Sequence, residues 1–212
     1  TLTSDVRFIA SGSAEAAPQE ILPRAEGTEY DVDHHGDRFV VRINDAGDNF
    51  RIVEVQDDSL GSVGRELVPH DPDVYITGIS MFEDAIVLSE RRGGYTAIEF
   101  VDPKSLSRRV LPVPEEVSTV HIAGGNEVFG APFVRVSYMS PVTPNQTVDV
   151  DIDDLEWHVR KQREVPGWDP SKYTVTRQMI AARDGTLIPV SLMHLAEAKP
   201  DGTHPLFLYG YG

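Results

Sequence analysis

Serine residues that could act as nucleophiles are few in this chain, and their surroundings argue against that role. Ser13 and Ser62 each have glycine neighbours, as exposed nucleophilic serines often do. Neither lies in a Gly-x-Ser-x-Gly string, which holds such a serine on a sharp turn between a strand and a helix. We therefore expect neither serine to attack a substrate.

Candidate metal ligands are also poorly placed. His34 and His35 are adjacent, so their side chains point to opposite faces if they lie on a strand. The acidic run Asp151, Asp153 and Asp154 lacks the glycine and the later bidentate glutamate of a calcium loop, and we interpret it as the polar edge of a strand. We expect no metal ion and no cofactor. The remaining histidines are isolated from one another: His70, His121, His158, His194 and His204.

Two further features have simple structural interpretations. The string Arg91-Arg92-Gly93-Gly94 is typical of a hairpin connection, because glycine at a turn explains it without a phosphate ligand. Trp157 and Trp168 are predicted to be aromatic residues of the core or of a domain junction.

Composition limits the class of protein. The chain has 212 residues, 40% of them hydrophobic and 25% charged, which is ordinary for a globular protein. Its net charge of −15 argues against nucleic acid and anionic membranes as partners and favours a cationic substrate or partner, although acidity also serves solubility. The absence of cysteine excludes disulfides and thiolate metal sites. We expect a cytoplasmic location and, from a start at Thr1 without Met, a piece of a longer protein.

An internal repeat organises most of the chain. A strand that ends in two apolar residues and a proline occurs as ILPR at 21–24, LVPH at 67–70 and VLPV at 110–113, at steps of 46 and 43 residues. A second strand type recurs from residues 39, 85 and 134, and a third from residues 50, 95 and 147. A period of about 40–50 residues that holds four strands is typical of a β-propeller blade.

The repeat predicts the order of the blades. Residues 1–20 look like the end of an earlier blade. Residues at helical spacing make 151–165 ambiguous, but the repeat places a strand at 157–165. Because propellers close a ring to cover their sheet faces, we expect part of a ring that is marginally stable or prone to aggregate alone. Three blades are predicted, at 21–68, 69–112 and 113–165. The clearest strands are predicted at 38–44, 85–92, 95–102, 133–140 and 147–153.

The pattern changes after the last repeat. Residues 173–195 predict a hairpin with its turn at Asp184-Gly185. The apolar run Leu206–Tyr209 predicts a further strand that leads into the glycines at the end of the chain. This order is typical of the first edge of a mixed sheet, and the pattern changes near Gly167.

The last fifty residues resemble a known enzyme family. Asp169-Pro170 with Tyr173, ARDGTLIPVSL at 182–192 and DGTHPLFLYGYG at 201–212 follow the order and spacing of the start of the catalytic domain in the prolyl oligopeptidase family. The second motif and the preceding VPGWDPSKY are more similar to oligopeptidase B than to prolyl oligopeptidase itself. The string EYDVDHHGDRFVVRINDAGDNFRIVEV at 29–55 also resembles a propeller segment of oligopeptidase B.

The resemblance implies a two-domain serine peptidase. A seven-bladed propeller would cap an α/β-hydrolase domain and restrict access to short peptides. The implied reaction is hydrolysis through an acyl-enzyme by a Ser-His-Asp triad, after Lys or Arg in oligopeptidase B and after Pro in prolyl oligopeptidases. The predicted fold is mainly β, with about three to four blades over residues 1–168 and the first hydrolase strands over 169–212. The implied triad follows this segment, so we expect the 212-residue chain alone to be inactive.

One residue of the implied active site lies within the sequence. In the family's YGYG motif the second tyrosine donates its hydroxyl to the oxyanion of the tetrahedral intermediate, and this position is Tyr211 here. A neutral phenol can supply one directed hydrogen bond to developing negative charge. The resemblance thus implies that Tyr211 is an oxyanion stabiliser in the intact enzyme. The implied partners are short peptides and the rest of the propeller and hydrolase domain.

Two other interpretations stay open. The chain could be a non-catalytic propeller used as a binding module, because propellers have many functions. Residues 173–212 argue against this, since a stand-alone propeller has no need of them. The parent could also be another peptidase of the same superfamily, such as a prolyl oligopeptidase or an aminopeptidase.

Overall fold

The computed structural model describes residues 2–13, 15–199 and 201–210, and these ranges consist almost entirely of antiparallel sheet. The sheets are three four-stranded ones and two two-stranded ones. A single short 3₁₀ turn spans Pro170–Lys172. No helix in the described ranges is long and apolar enough to cross a bilayer.

The strands follow the predicted repeat. The first, two-stranded sheet contains β1 (Arg7–Phe8) and β2 (Gln19–Glu20). Blade I contains β3 (Tyr30–His35), β4 (Arg38–Ile43), β5 (Arg51–Gln56) and β6 (Glu66–Val68). Blade II contains β7 (Val74–Phe82), β8 (Ala85–Arg92), β9 (Tyr95–Val101) and β10 (Arg108–Val110). Blade III contains β11 (Thr119–Ile122), β12 (Phe133–Met139), β13 (Gln146–Asp151) and β14 (Trp157–Gln162).

Each blade is a meander in which successive strands pair. The recurrent apolar-Pro strings lie at the ends of the outer-edge strands: ILPR directly follows β2, whereas LVPH and VLPV begin on the last residues of β6 and β10. The same position in blade III is occupied by β14, so the ambiguous stretch is a strand as the repeat predicts. The β1–β2 pair therefore corresponds to the third and fourth strands of an earlier blade.

The hydrophobic core lies between the blades. In β4, Phe39, Val41 and Ile43 pack toward the β1–β2 sheet, whereas Val40 packs toward blade II. The central strands are thus buried on both faces, which explains their nearly continuous apolar sequence. A second cluster joins blades II and III, with Phe100 and Tyr138 among its buried aromatic residues. Stacking of neighbouring blades is what buries these faces.

Arginines add polar contacts between blades by donating to backbone carbonyl oxygens. Arg42 of blade I donates to the carbonyl oxygen of Ile76 in blade II at 3.0 Å. Arg109 of blade II donates to the carbonyl oxygens of Ile152 and Asp153 in blade III, both at 2.6 Å. These bonds satisfy carbonyls at the strand ends and fix the position of one blade on the next.

Connectivity gives the blades two faces. On the distal face, the chain turns from the first to the second strand and from the third to the fourth. Residues from all three blades meet there: His35 Nε2 donates to the Glu83 carbonyl oxygen at 3.1 Å, and Glu83 N donates to the Phe129 carbonyl oxygen at 2.8 Å. The opposite face, here called the junction face, carries the turns between second and third strands and the connections between blades.

The chain after blade III forms the C-terminal hairpin, β15 (Tyr173–Ala181) and β16 (Leu187–Leu195). Nine residue pairs from Tyr173–Leu195 to Ala181–Leu187 confirm the predicted hairpin and its turn. The strand predicted at Leu206–Tyr209 is wrong for the described structure. These side chains are 77–88% exposed and the backbone of this segment pairs with no described strand, and a strand needs such a partner for its hydrogen bonds.

Candidate functional site

An arginine joins the C-terminal hairpin to the junction face. The guanidinium carbon of Arg177, in β15, lies 3.6 Å from the ring centroid of Tyr95 in blade II. Its Nη2 also donates a hydrogen bond of 2.9 Å to the carbonyl oxygen of Gly93, a residue 84 positions earlier in the chain. A planar guanidinium can stack on an aromatic ring and donate in its own plane at the same time. Arg177 therefore ties the hairpin to the β8–β9 turn.

Glycines shape the turn that receives this arginine. Gly93 and Gly94 have φ of 53° and 82°, in the left-handed region that a tight two-residue hairpin requires. A Cβ on Gly94 would lie only 2.8 Å from Arg177 Nη2. Glycine at 94 is thus needed both for the backbone conformation and for the close approach of the guanidinium.

The linker before the hairpin is held on blade III by Trp168. Its indole stacks on Tyr173, with ring centroids 4.6 Å apart and an interplanar angle of 16°. Its Nε1 donates to the carbonyl oxygen of Val142 at 2.9 Å. Trp168 thus lies between blade III and the hairpin, and Trp157 packs on Tyr138 beside the core of blade III.

A cleft of about 470 Å³ lies between the hairpin and blades II and III. It contains residues from the second and third strands of blade II, from the innermost strand of blade III and from both hairpin strands. Its lining surface is mainly apolar and also carries polar side chains; it includes Arg91, Thr96, Thr119, Met139, Arg177 and Ser191. We call it the junction cleft.

Buried ion pairs hold the blades but lie outside this cleft. Each blade has one buried carboxylate on its third strand: Glu54, Glu99 and Asp149. Hydrogen bonds from Arg135 and then Arg160 lower the pKa of Asp149 below its ordinary value. Burial raises the pKa of Glu90, next to Glu99, against the opposing effect of a hydrogen bond from its arginine partner. The ion pairs are Arg38–Glu54 at 2.7 Å, Arg92–Glu99 at 3.0 Å, Arg108–Glu99 at 2.7 Å, and Arg135–Asp149 and Arg160–Asp149, both at 2.7 Å.

Comparison with known proteins assigns the chain. Residues 1–163 match the family model described as the N-terminal β-propeller domain of prolyl oligopeptidase. The chain belongs to the prolyl oligopeptidase family. The fold of stacked four-stranded antiparallel blades agrees with this assignment.

Several family members are similar over most of this chain. Dipeptidyl aminopeptidase BI of Pseudoxanthomonas mexicana is 34% identical over 195 residues, which is 91% of this chain and 27% of that protein. Protease 2 of Moraxella lacunata is 26% identical over 211 residues, 99% of this chain and 30% of that protein. Oligopeptidase B from Trypanosoma brucei, in a closed form with covalently bound antipain, matches with a TM-score of 0.87 at 29% identity, over 99% of this chain and 31% of that one. The chain thus spans less than a third of the length of these relatives.

The site residue implied by the family resemblance, Tyr211, lies outside the described residues, and its role stays a prediction. Ser13 and Ser62 are exposed. Within the described ranges, no histidine ring hydrogen-bonds to a serine hydroxyl, and no group of three or more His, Asp or Glu side chains could hold a metal ion. The predicted start of the second domain at residue 169 also stays a prediction.

The other predicted features have the expected local structure. His34 pairs with Asp57 at 3.0 Å, whereas His35 turns to the Glu83 carbonyl, so the two rings do not converge. The acidic run is a strand-to-turn edge, in which Asp151 Oδ1 accepts from Asp153 N at 2.8 Å.

Sequence reasoning missed the role of Arg177 in this family member. It found the glycine turn at 93–94 but not that a distant arginine binds it. The available signal was weak: Arg177 is a cation within the otherwise uncharged strand YTVTRQMIA.

Proposed function

We propose that this chain is part of a serine oligopeptidase that hydrolyses short peptides on the carboxyl side of Lys or Arg. The observation that supports this most is the similarity to oligopeptidase B from Trypanosoma brucei, which covers 99% of the chain at a TM-score of 0.87 and includes the C-terminal hairpin as well as the blades. A propeller that served only as a binding module would not need that hairpin.

The preference for a cationic side chain is supported by charge. The chain has 34 acidic residues against 19 basic ones, so its long-range field attracts cationic peptides. The residues that would bind the Lys or Arg side chain itself belong to the remainder of the enzyme in this proposal. The field of the propeller acts on the rate of encounter.

In the proposed reaction, the hydrolase domain supplies the serine, histidine and aspartate. The serine attacks the scissile carbonyl while the histidine takes its proton, and the aspartate orients the histidine. Tyr211 donates its phenolic hydrogen to the oxyanion that forms, a contribution that grows as charge develops. The tetrahedral intermediate then collapses: the scissile C–N bond breaks, the leaving amine takes the proton from the histidine, and the acyl-enzyme forms. Water, deprotonated by the same histidine, hydrolyses the acyl-enzyme and releases the serine.

The propeller restricts access in this proposal. Its junction face lies against the hairpin through Arg177, and on its distal face the inner turns of three blades are joined through Glu83. In this proposal the propeller admits a short extended peptide to the active site and excludes a folded protein. We also propose a cytoplasmic location; the chain has no cysteine and so needs no oxidising compartment. Fractionation of cells with a specific antibody tests the location.

The test uses the full-length protein that contains this chain. Its intact mass is measured under denaturing conditions with and without a fluorophosphonate probe. We expect a mass well above 23.4 kDa and a gain of one probe adduct. Fluorogenic peptides with Arg, Lys or Pro before the scissile bond then report specificity, with kcat/KM for Arg and Lys at least about 100-fold above that for Pro. No adduct, or a preference for Pro, would overturn the proposal.

A second candidate function is release of dipeptides from a free N-terminus. The similarity to dipeptidyl aminopeptidase BI, at 34% identity over 91% of the chain, favours it. Matched substrates with free and acetylated N-termini separate the two functions. An oligopeptidase cleaves both, whereas a dipeptidyl aminopeptidase cleaves only the free one.

A further inference from the structure

The junction cleft has the opposite charge to the rest of the chain. Its lining includes two guanidinium groups, Arg91 and Arg177, and no carboxylate. The whole chain has a net charge of −15, so a cleft that is purely cationic in its charged groups is a local exception. Two cations that line one cleft raise each other's energy, and an anion between them removes that repulsion.

Both arginines have donors available for a ligand. Arg177 uses Nη2 on the Gly93 carbonyl oxygen and its face on Tyr95, which leaves Nε and Nη1 without a hydrogen-bond partner among the described residues. Arg91 is exposed and makes no side-chain hydrogen bond or ion pair within the same ranges. Glu116, whose carboxylate accepts from Tyr95 Oη at 3.5 Å, does not line the cleft.

The other lining groups suit a peptide end. Thr96 Oγ1 accepts from Val120 N at 2.9 Å, so its hydroxyl hydrogen can still be donated to a ligand. Thr119 and Ser191 add hydroxyls, and Met139 gives an apolar surface. Arginine, hydroxyl and apolar groups together match a carboxylate attached to an aliphatic carbon.

The position of the cleft is one that a bound peptide can reach in the proposed function. It lies on the junction face, under the hairpin, and it extends to Thr119 at the start of the innermost strand of blade III. The proposed function places the bound peptide between the propeller and the hydrolase domain, and this cleft lies on the junction face where the hairpin begins that domain in the proposal. A site at this place can contact the part of a peptide that lies away from the scissile bond.

We propose that the junction cleft is a subsite for a carboxylate of the bound peptide, with Arg91 as the residue that binds it. The inference rests on the proposed peptidase function. The carboxylate can come from the C-terminus of a short peptide or from an Asp or Glu side chain near it. Arg177 positions the hairpin and contributes its remaining donors.

The test compares peptides that differ in one charge. Three N-acetylated pentapeptides share Arg before the scissile bond: a C-terminal acid, the matching C-terminal amide, and an amide whose last residue is Glu. The full-length peptidase is assayed as wild type and as Arg91→Gln. The control is Arg65→Gln, which removes an exposed arginine from the β5–β6 connection on the distal face.

We expect kcat/KM of the wild type to be about 10- to 100-fold higher for the acid than for the amide, the range of one charge-assisted hydrogen bond. Arg91→Gln should bring this ratio close to one, and Arg65→Gln should leave it as in the wild type. If the Glu-containing amide behaves like the acid, the subsite takes a carboxylate from either source. If it behaves like the plain amide, the subsite takes the C-terminus alone.

A binding measurement distinguishes this inference from the proposed function. Fluorescently labelled versions of the acid and amide peptides are titrated with the full-length protein, and the dissociation constants are read by anisotropy. Tighter binding of the acid that is lost in Arg91→Gln supports the subsite even if neither peptide is cleaved. The subsite is overturned if the acid and amide peptides have equal dissociation constants, or if Arg91→Gln still binds the acid more tightly. In either case, cleavage of the peptides would leave the peptidase proposal intact.

Discussion

We predict that one methyl group added to the β8–β9 turn, at Gly94, releases the C-terminal hairpin from the propeller. In Gly94→Ala, the new Cβ would lie 2.8 Å from Arg177 Nη2, which is closer than two such atoms can remain. The arginine side chain is flexible, so it will move away and leave the backbone of the turn in place. We expect it to lose the stacking on Tyr95 and the hydrogen bond to Gly93.

The structure supplies a matched control in Gly36→Ala. Gly36 has φ of 71° and Gly94 has φ of 82°, so an alanine at either position is strained in the same left-handed region. This strain amounts to about 1–2 kcal/mol and lowers the stability of either blade similarly. A Cβ at Gly36 meets no atom within 4 Å, so only Gly94→Ala adds a steric effect on a neighbour.

The two contacts that Arg177 loses determine how much more Gly94→Ala weakens docking of the hairpin than Gly36→Ala does. A half-exposed cation on an aromatic ring contributes about 0.5–1 kcal/mol, and the hydrogen bond of a charged group contributes about 1.5 kcal/mol at the low end of its range. We therefore expect docking to weaken by about 2 kcal/mol, and the population of the undocked hairpin to rise about 30-fold. Gly36→Ala should leave docking unchanged.

Limited proteolysis of the full-length protein with trypsin measures the undocked population. The exposed Arg163, Lys172 and Arg183 lie in or beside the linker and hairpin, and cleavage tracks the open population when reclosing is fast. Gly94→Ala should be cut in this segment at least about tenfold faster than Gly36→Ala. In an Arg177→Met background, the two alanine variants should be cut at equal rates. Equal rates in the wild-type background would refute the docking role of Arg177.

Three further predictions concern other parts of the molecule. In the full-length protein, Asp149→Asn should lower the free energy of unfolding at pH 7 by only about 1 kcal/mol in urea denaturation, because Arg135 and Arg160 can regain water. Since pairing lowers the pKa of Asp149 from 3.8, this contribution is present above about pH 4 and is lost as the pH falls through the lowered pKa, so variant and wild type should converge in acid. In the full-length enzyme, Tyr211→Phe should lower kcat about 10²- to 10³-fold with little change in KM, measured on an Arg peptide; an unchanged kcat would contradict the oxyanion role. The isolated 212-residue chain should aggregate or melt without cooperativity, as read by size exclusion and calorimetry, and a cooperative monomeric melt would contradict this.

The blades could be predicted from the sequence because every blade must bury both faces of its central strands. Phe39, Val40 and Val41 are all apolar because the strand is buried on both faces, and the same demand recurs in each blade at nearly constant spacing. Repetition also corrected a local ambiguity: the sequence around Trp157 has helical spacing, but its place in the repeat is that of an outer strand. The position of this segment in the repeat was therefore a better guide to its structure than the helix-like spacing of its own residues.

The strand predicted at Leu206–Tyr209 failed for a related reason. Apolar composition shows that a segment must be buried, but it does not supply the neighbour that buries it. The described chain offers no strand beside this segment, and the side chains are exposed. A local pattern predicts pairing only where the partner is part of the same folded unit.

The contact between the hairpin and the propeller could not be predicted, because Arg177 binds a backbone carbonyl oxygen and not a side chain of complementary charge. Arg177 binds a carbonyl oxygen and a ring face, and the shape that admits it is set by two glycines. A glycine turn has its own local explanation, so nothing in it marks a partner 84 residues away. For the same reason, the sequence indicates only a hairpin connection at Arg91, beside that turn. A charged residue in a tight connection is ordinary on its own, and the junction cleft exists only once the hairpin has folded back over blade II.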